Sequence, residues 1–244
     1  MESPGSYKRA VLKLSGSAFA PRGGKGIDEG RVGFMTRELV EAQRACPELA
    51  VVLGGGNIVR GAQCFLTGPS RIRADYAGMV ATIVNALVFQ DSLQRADVPC
   101  KVYSALPVAG VAAAFCAEQC AADLEDGFIV LLAGGTGNPL FTTDTAGALR
   151  AVQLGAQVML KATRVDGVYS ADPEQHADAE LYEHLSYEDV IKGTLGVMDL
   201  CAVSLCMDHG VPVRVFNYGV KGNIRRALSG EPVGTLIGRH EDVG

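Results

Sequence analysis

The chain has 244 residues, 48% of them hydrophobic and 20% charged, and a formal net charge of −5. That length can bury a sizeable core within one domain, and that balance excludes a disordered chain. The acidic net charge argues against a general nucleic-acid binder, so any anionic substrate must be met by local cations. Met1 to Ser6 lack a secretory apolar region and no apolar run is expected to span a bilayer, which together imply a cytoplasmic chain with no membrane partner. Apolar runs at 10–14, 49–53, 101–104, 128–133, 158–160 and 213–216 read as strands. Their continuous rather than alternating apolarity places them in a mainly parallel sheet covered on both faces. Helical spacing marks about 71–95, where Ile72, Tyr76, Met79, Ile83 and Leu87 form one apolar stripe. It also marks 144–154 and 198–209, the last stopped by Gly210. The repeated alternation implies an α/β fold, a three-layer α/β/α sandwich around a mainly parallel central sheet, in a single domain. No internal repeat or low-complexity linker interrupts it. The stretch 22–26 reads as a mobile loop, and the residues after Gly238 as a poorly ordered polar tail.

Seven cysteines (Cys46, Cys64, Cys100, Cys116, Cys120, Cys201 and Cys206) form no Cys-x-x-Cys pair and sit mostly among apolar neighbours. They read as free thiols and small hydrophobes, and no structural metal is expected.

The chemistry gathers where strands end in glycine-rich turns, the edge at which open α/β sheets hold ligands. Lys13 lies within an apolar strand and is followed by Ser15-Gly16. A lysine there either reaches water with its head or loses hydration and requires an anionic partner. The turn after it can supply backbone donors beside the ammonium. Gly54-Gly55-Gly56-Asn57 follows the next strand, and Arg60 one helical turn on could fork onto phosphate oxygens or simply lie at the surface. Asp75 opens a helix, where a carboxylate ordinarily complements the dipole. The most informative stretch is Gly134-Gly135-Thr136-Gly137-Asn138-Pro139-Leu140-Phe141-Thr142-Thr143-Asp144. A strand opening into glycines, hydroxyls and a helix start is how α/β proteins hold a phosphorylated ligand. Lys161, Thr163, Arg164, Tyr169 and Asp172 occupy a further post-strand loop with Asp-Gly and Asp-Pro turn signals. Asp144 and Asp199 both sit at expected helix starts, where an N-cap is the simple alternative to a catalytic role. No Walker loop, no complete Gly-x-Gly-x-x-Gly and no protein-kinase catalytic loop is present, so phosphate cradling belongs to another fold.

Taken in order, these segments resemble the bacterial-type uridylate (UMP) kinases of the amino acid kinase superfamily over residues 7–237. The resemblance implies transfer of the γ-phosphate of ATP to UMP, giving UDP for pyrimidine nucleotide synthesis. It implies an acceptor lobe over about 7–155 and an ATP lobe over about 156–238. ATP would meet Lys13, Leu14, Ser15, Gly16, Gly56, Arg60, Thr163, Tyr169 and Asp172. UMP would meet Gly55, Asp75, Thr136, Gly137, Asn138, Pro139, Leu140, Phe141, Thr142 and Thr143, with Asp75 on the ribose hydroxyls. Lys13, Arg60, Asp144, Lys161 and Asp199 would carry the chemistry, with Mg²⁺ arriving on ATP. The acceptor oxygen is already ionised, so no general base is required. Two unit charges about 4 Å apart repel by about 4 kcal/mol at an effective dielectric near 20, and cations must therefore dominate. The two aspartates would orient the lysines or organise metal and water. A homohexamer and GTP and UTP effectors are implied in the same way. Two departures stand out: Ser17 replaces the family's usual glutamate, and Arg164 its frequent lysine. Rival readings are a carboxylate kinase of the same superfamily and a nucleotide-binding storage or sensor protein without turnover.

Overall fold

The computed structural model describes residues 6–59, 68–171, 173, 175–176, 178–193 and 195–239. Strand β1 (Arg9–Leu14) is central, flanked by β2 (Glu48–Leu53) on one side and β6 (Val158–Thr163) on the other. Beyond β2 lie β5 (Ile129–Ala133), β3 (Cys100–Ser104) and the two-residue β4 (Ala113–Ala114). Beyond β6 lie β10 (Val213–Asn217), β11 (Thr235–Gly238) and β9 (His184–Ser186). Every pairing in this nine-stranded sheet is parallel except β10 with β11. A separate antiparallel pair joins β7 (Val168–Tyr169) to β8 (Leu181–Tyr182). The six expected strands are all present. The short strands and β11 are not legible as apolar runs.

Two apolar layers cover the sheet. On one face pack α1 (Glu29–Ala45), α2 (Gly68–Gln94) and α7 (Asn223–Leu228). On the other pack α3 (Ala117–Glu125), α4 (Thr143–Gln153), α5 (Tyr187–Gly193) and α6 (Leu200–His209). This is the expected three-layer sandwich. Strands buried on both faces explain the unbroken apolar runs: every residue of β2 and β5 is buried. Along β1 the pleat sends Leu12 and Leu14 to the first layer and Val11 to the second. Lys13 therefore faces the second layer. Helix α1 is not among the elements expected from the sequence. It is started by Asp28, whose carboxylate accepts the Arg31 N–H at 2.8 Å, and it buries Val32, Met35, Leu39 and Ala42. Gly210 ends α6 in the left-handed conformation, as expected.

The long helix α2 corrects two expectations. Its segment Arg71–Gln94 is long and apolar enough to cross a membrane by length and composition, contrary to the reading that no such run exists. It is used as a core helix: Met79, Ile83, Ala86, Phe89 and Leu93 are buried against the sheet. The single stripe expected from the sequence also divides in two. Ile72 and Tyr76 lie with Val80 and Val84 on the outer face, 40%, 42%, 49% and 41% exposed.

Turn geometry after α7 sets a stability test. Gly234 has φ +67° and a Cβ there would lie 1.9 Å from the Val215 carbonyl oxygen, whereas Gly23 has φ +70° with nothing within 4 Å. Gly234→Ala is expected to lose about 3 kcal/mol or more, and Gly23→Ala only about 1 kcal/mol. Urea unfolding of the two variants measures the contrast.

Candidate active site

The carboxyl ends of β1, β2, β5, β6 and β10 share one edge, and β1 is where the strand order reverses direction. That is the switch point at which such sheets bind ligands. Lys13 of β1 and Lys161 of β6 are direct register partners there. Asp144, in the first turn of α4, lies between their side chains. Its Oδ2 accepts from Lys161 Nζ at 2.6 Å, and its Oδ1 lies 2.8 Å from Lys13 Nζ. The Lys13 approach is that of an ion pair rather than a directed hydrogen bond, and among the described residues Oδ1 has no other partner. Lys161 Nζ also donates to the Val197 carbonyl. All three side chains are at most 14% exposed.

Burial alone would raise the Asp144 carboxyl, but the two ammonium groups outweigh it and hold the group below its ordinary value. Burial pushes the Lys161 ammonium down, and the Lys13 charge adds to that against the pull of Asp144. The cluster thus carries one carboxylate against two ammonium groups and is a ready receptor for an anion.

The two aspartates, which the sequence treats alike, part company. Thr142, not Asp144, caps α4: its hydroxyl oxygen accepts from the N–H of Asp144 at 3.0 Å and of Thr145 at 3.3 Å. Asp199 is an N-cap, with Oδ1 accepting from Ala202 N–H at 3.0 Å at the start of α6. Asp199 also receives the hydroxyls of Thr142 and Thr145, the latter at 2.9 and 3.0 Å. It therefore braces the helix start that presents Asp144 and, among the described residues, pairs with neither lysine.

Two cavities adjoin the cluster, one through Lys161 and the other through Thr142 and Thr143 just before Asp144, and Lys13 walls neither. The larger, about 660 Å³, is walled by Lys161, Thr163, Val168, Tyr169, Gly196 and Val197 among others. The smaller, about 340 Å³, brings Gly55, Gly56 and Asp75 together with Thr136, Asn138, Phe141, Thr142 and Thr143. Gly137, Pro139 and Leu140 are not among its walls. Asp75 lies inside α2 rather than opening it, and it is already engaged: Arg71 Nε donates to Oδ1 and the Leu140 N–H to Oδ2, both at 2.9 Å. Leu140 sits at φ +72°, so this carboxylate holds the loop in a conformation leucine rarely adopts. The Leu14 side chain is fully buried and its carbonyl already accepts from Gly54 N–H at 2.8 Å. Ser15 caps the short 3₁₀ turn Gly16–Ala18. Arg60 and Asp172 lie outside the described residues, as does Cys64.

The glycine triplet has a structural cause that the sequence only hints at. A Cβ on Gly54 would lie 2.7 Å from Gly16 N, and one on Gly55 2.5 Å from the Gly78 carbonyl oxygen. The backbone approaches other backbone, and so seats the Lys13 turn against the glycine loop. Asn85 locks this arrangement. Its amide donates to Asn57 Oδ1 at 2.8 Å and to the Gly54 carbonyl at 2.7 Å. Asn57 in turn donates to the Gly26 carbonyl at 2.9 Å, which fastens the far end of the 22–26 loop. Thr82 accepts the Gly134 N–H at 2.7 Å. Neither Asn85 nor Thr82 stands out in the sequence, although a polar pair inside an apolar helix is the available signal.

Both the sequence and the fold are matched among known proteins. The sequence profile of the amino acid kinase family matches residues 8–217. This chain belongs to the amino acid kinase family. The family member described here is 43% identical over 236 residues to a uridylate kinase of Legionella pneumophila strain Corby, covering 97% of this chain and 96% of that one. Its structure is similar to that of a UMP kinase from Bacillus anthracis, with a TM-score of 0.92 at 34% identity over 96% of this chain and 97% of that one. A UMP kinase from Ureaplasma parvum matches with a TM-score of 0.87 at 29% identity, over 95% and 99% of the two chains.

The buried carboxylate gives this member of the amino acid kinase family a defined acid sensitivity. Asp144 holds its proton less readily folded than unfolded, so its stabilising contribution is complete above the ordinary value of 3.8 and is lost as pH falls below it. Asp144→Asn is expected to destabilise by about 3 kcal/mol at neutral pH, because it leaves two buried ammonium groups without a counter-charge. The variant should also flatten the acid limb of the stability–pH curve. Denaturant unfolding across acidic pH tests this, and an unchanged acid limb would place the sensitivity elsewhere.

Proposed function

We propose that this chain is an ATP-dependent UMP kinase, transferring the γ-phosphate of ATP to UMP to give UDP and ADP. The observation that carries the reading is the Lys13–Asp144–Lys161 cluster, with one cavity beside its Lys161 and another beside the residues that lead into Asp144. Lys161 walls the larger cavity, while Thr142 and Thr143, immediately before Asp144, wall the smaller. An acceptor phosphate and a donor phosphate entering from the two sides would meet at the lysines. The similarity to enzymes named uridylate kinase or UMP kinase supports the choice of substrates.

In this reading the larger cavity, in the ATP lobe of about 156–238, takes the donor against Thr163 and Tyr169. The smaller, in the acceptor lobe, takes UMP against Asp75 and the hydroxyl-rich loop. Lys13 and Lys161 lower the repulsion between the two anions and stabilise charge that develops on the transferring group, while Asp144 keeps the ammonium groups apart and aimed. No group needs to remove a proton, since a phosphate monoester oxygen attacks already ionised. Arg60, in a segment outside the described residues, is assigned to the phosphates from the motif it occupies. Among the described residues no group of three or more His, Cys, Asp or Glu could hold a metal, and both Asp144 oxygens face ammonium groups. This donor set suits Mg²⁺ carried by the nucleotide's own phosphates and waters, where it would neutralise charge, rather than a protein cage.

The exposed row of Ile72, Tyr76, Val80 and Val84 on α2 supports self-association, and the resemblance suggests a homohexamer. A place in cytoplasmic pyrimidine nucleotide synthesis, with GTP and UTP as effectors, belongs to the same proposal.

The deciding assay measures UDP formation from UMP with ATP and Mg²⁺, beside CMP, dTMP and no acceptor. Turnover confined largely to UMP is expected, and Lys13→Met should lower kcat by about 10²–10³-fold. ATP binding without phosphorylation of any acceptor would instead favour a storage or sensor protein. Val80→Asp should yield a smaller particle by light scattering, and an unchanged mass would remove the row from the interface.

A further inference from the structure

A third cavity, of about 320 Å³, opens at the same sheet edge and has no part in the reading above. Its walls include Ser17, Arg22, Arg31, Arg164, Tyr218 and Gly219. It lies on the first-layer side of the sheet: Tyr218 packs with Leu14 and Phe216, whereas Lys13 faces the second layer. Tyr218 is buried and forms the floor. The Arg31 guanidinium lies 5.9 Å from its ring centroid, and Arg164 Nε donates to its hydroxyl at 3.4 Å. That hydroxyl is 3.1 Å from Ser17 Oγ, which in turn donates to Ser15 Oγ at 3.1 Å.

The charge balance is what makes the cavity informative. Among the described residues, Arg22, Arg31 and Arg164 have no carboxylate within ion-pair distance, in a chain whose net charge is −5. Two carboxylates of adjoining segments are turned to other partners. Asp28 accepts the Arg31 backbone N–H at 2.8 Å, and Asp166 accepts from the Asn217 amide at 2.9 Å. Ser17, the wall residue nearest the Tyr218 hydroxyl, brings a hydroxyl rather than a carboxylate to these guanidinium groups. Guanidinium forks beside hydroxyls match the tetrahedral oxygens of a phosphate better than they match a neutral ligand.

We propose that this cavity is a second oxyanion site, holding a phosphate-class group on Arg22, Arg31 and Arg164. The Tyr218–Ser17–Ser15 hydroxyl chain connects it to the turn that follows Lys13. The phosphate comes either from the tail of a bound nucleotide or from a free phosphate or diphosphate, and the chemistry of recognition is the same.

The test is calorimetric titration of the full chain with pyrophosphate, which requires no turnover and so stands or falls apart from the kinase assay. Ser17→Glu places a carboxylate among the three guanidinium groups, and Arg31→Gln removes one of them without adding charge. Each is expected to weaken pyrophosphate binding at least tenfold relative to wild type, while Lys13→Gln leaves this site's binding in place. If neither variant weakens binding, if the wild type does not bind pyrophosphate, or if Lys13→Gln alone abolishes it, the site is overturned. ATP titrated in parallel separates the sources. A matching loss for ATP assigns the cavity to the nucleotide tail, and an unchanged ATP affinity assigns it to a free oxyanion.

Discussion

Two lysines on neighbouring parallel strands, in direct register, point to the same side of one sheet. Two like charges about 4 Å apart repel by about 4 kcal/mol at an effective dielectric near 20, so lysines placed side by side call for a carboxylate between them. Asp144 is that carboxylate, and much of the surrounding architecture serves to deliver it. Thr142 starts α4 at the position that turns Asp144 toward the lysines. Asp199, from the far start of α6, holds both Thr142 and Thr145. The carbonyl of Val197, two residues before Asp199, accepts a further hydrogen bond from Lys161. Helices α4 and α6 are thus tied through their first turns to the sheet they cover.

The sheet itself could be read from the chain because its strands are covered on both sides, and an unbroken apolar run is what that demands. The runs at 49–53 and 128–133 are the clearest instances, and the residues of β2 and β5 are uniformly buried. Lys13 is legible for the opposite reason, since charge within an apolar strand is costly without a partner, whereas Asp144 and Lys161 are legible from the motifs they occupy. What could not be read was partnership over distance. Nothing local tells Asp144, which holds the lysines, from Asp199, which holds a helix cap.

Helix α1 was missed although its cap and spacing are ordinary, because glycines at 30 and 33 and charges along its outer face blur the apolar period. The two faces of α2 were merged for a related reason. A helix apolar on most sides carries no strong single direction, so periodicity cannot say which apolar row meets the core. Asn57 and Asn85 show the limit in another form. Each is an unremarkable polar residue until the fold places them side by side, where together they fasten the Lys13 turn, the glycine loop and the loop ahead of α1.

The double character of α2 reaches beyond packing. Ala74, Asp75, Gly78, Met79 and Thr82 form a wall of the smaller cavity, and the exposed row of Ile72, Tyr76, Val80 and Val84 runs along the same turns. An α-helix with its side chains is only about 10–12 Å across, so both surfaces move with one rigid rod. A partner that displaced the outer row would displace the wall with it, and a ligand that drew the wall inward would carry the outer row along. By thermodynamic linkage the two effects are equal in free energy. Were cavity occupancy to shift this helix, its exposed back would feel that shift, and the reverse would hold to the same extent.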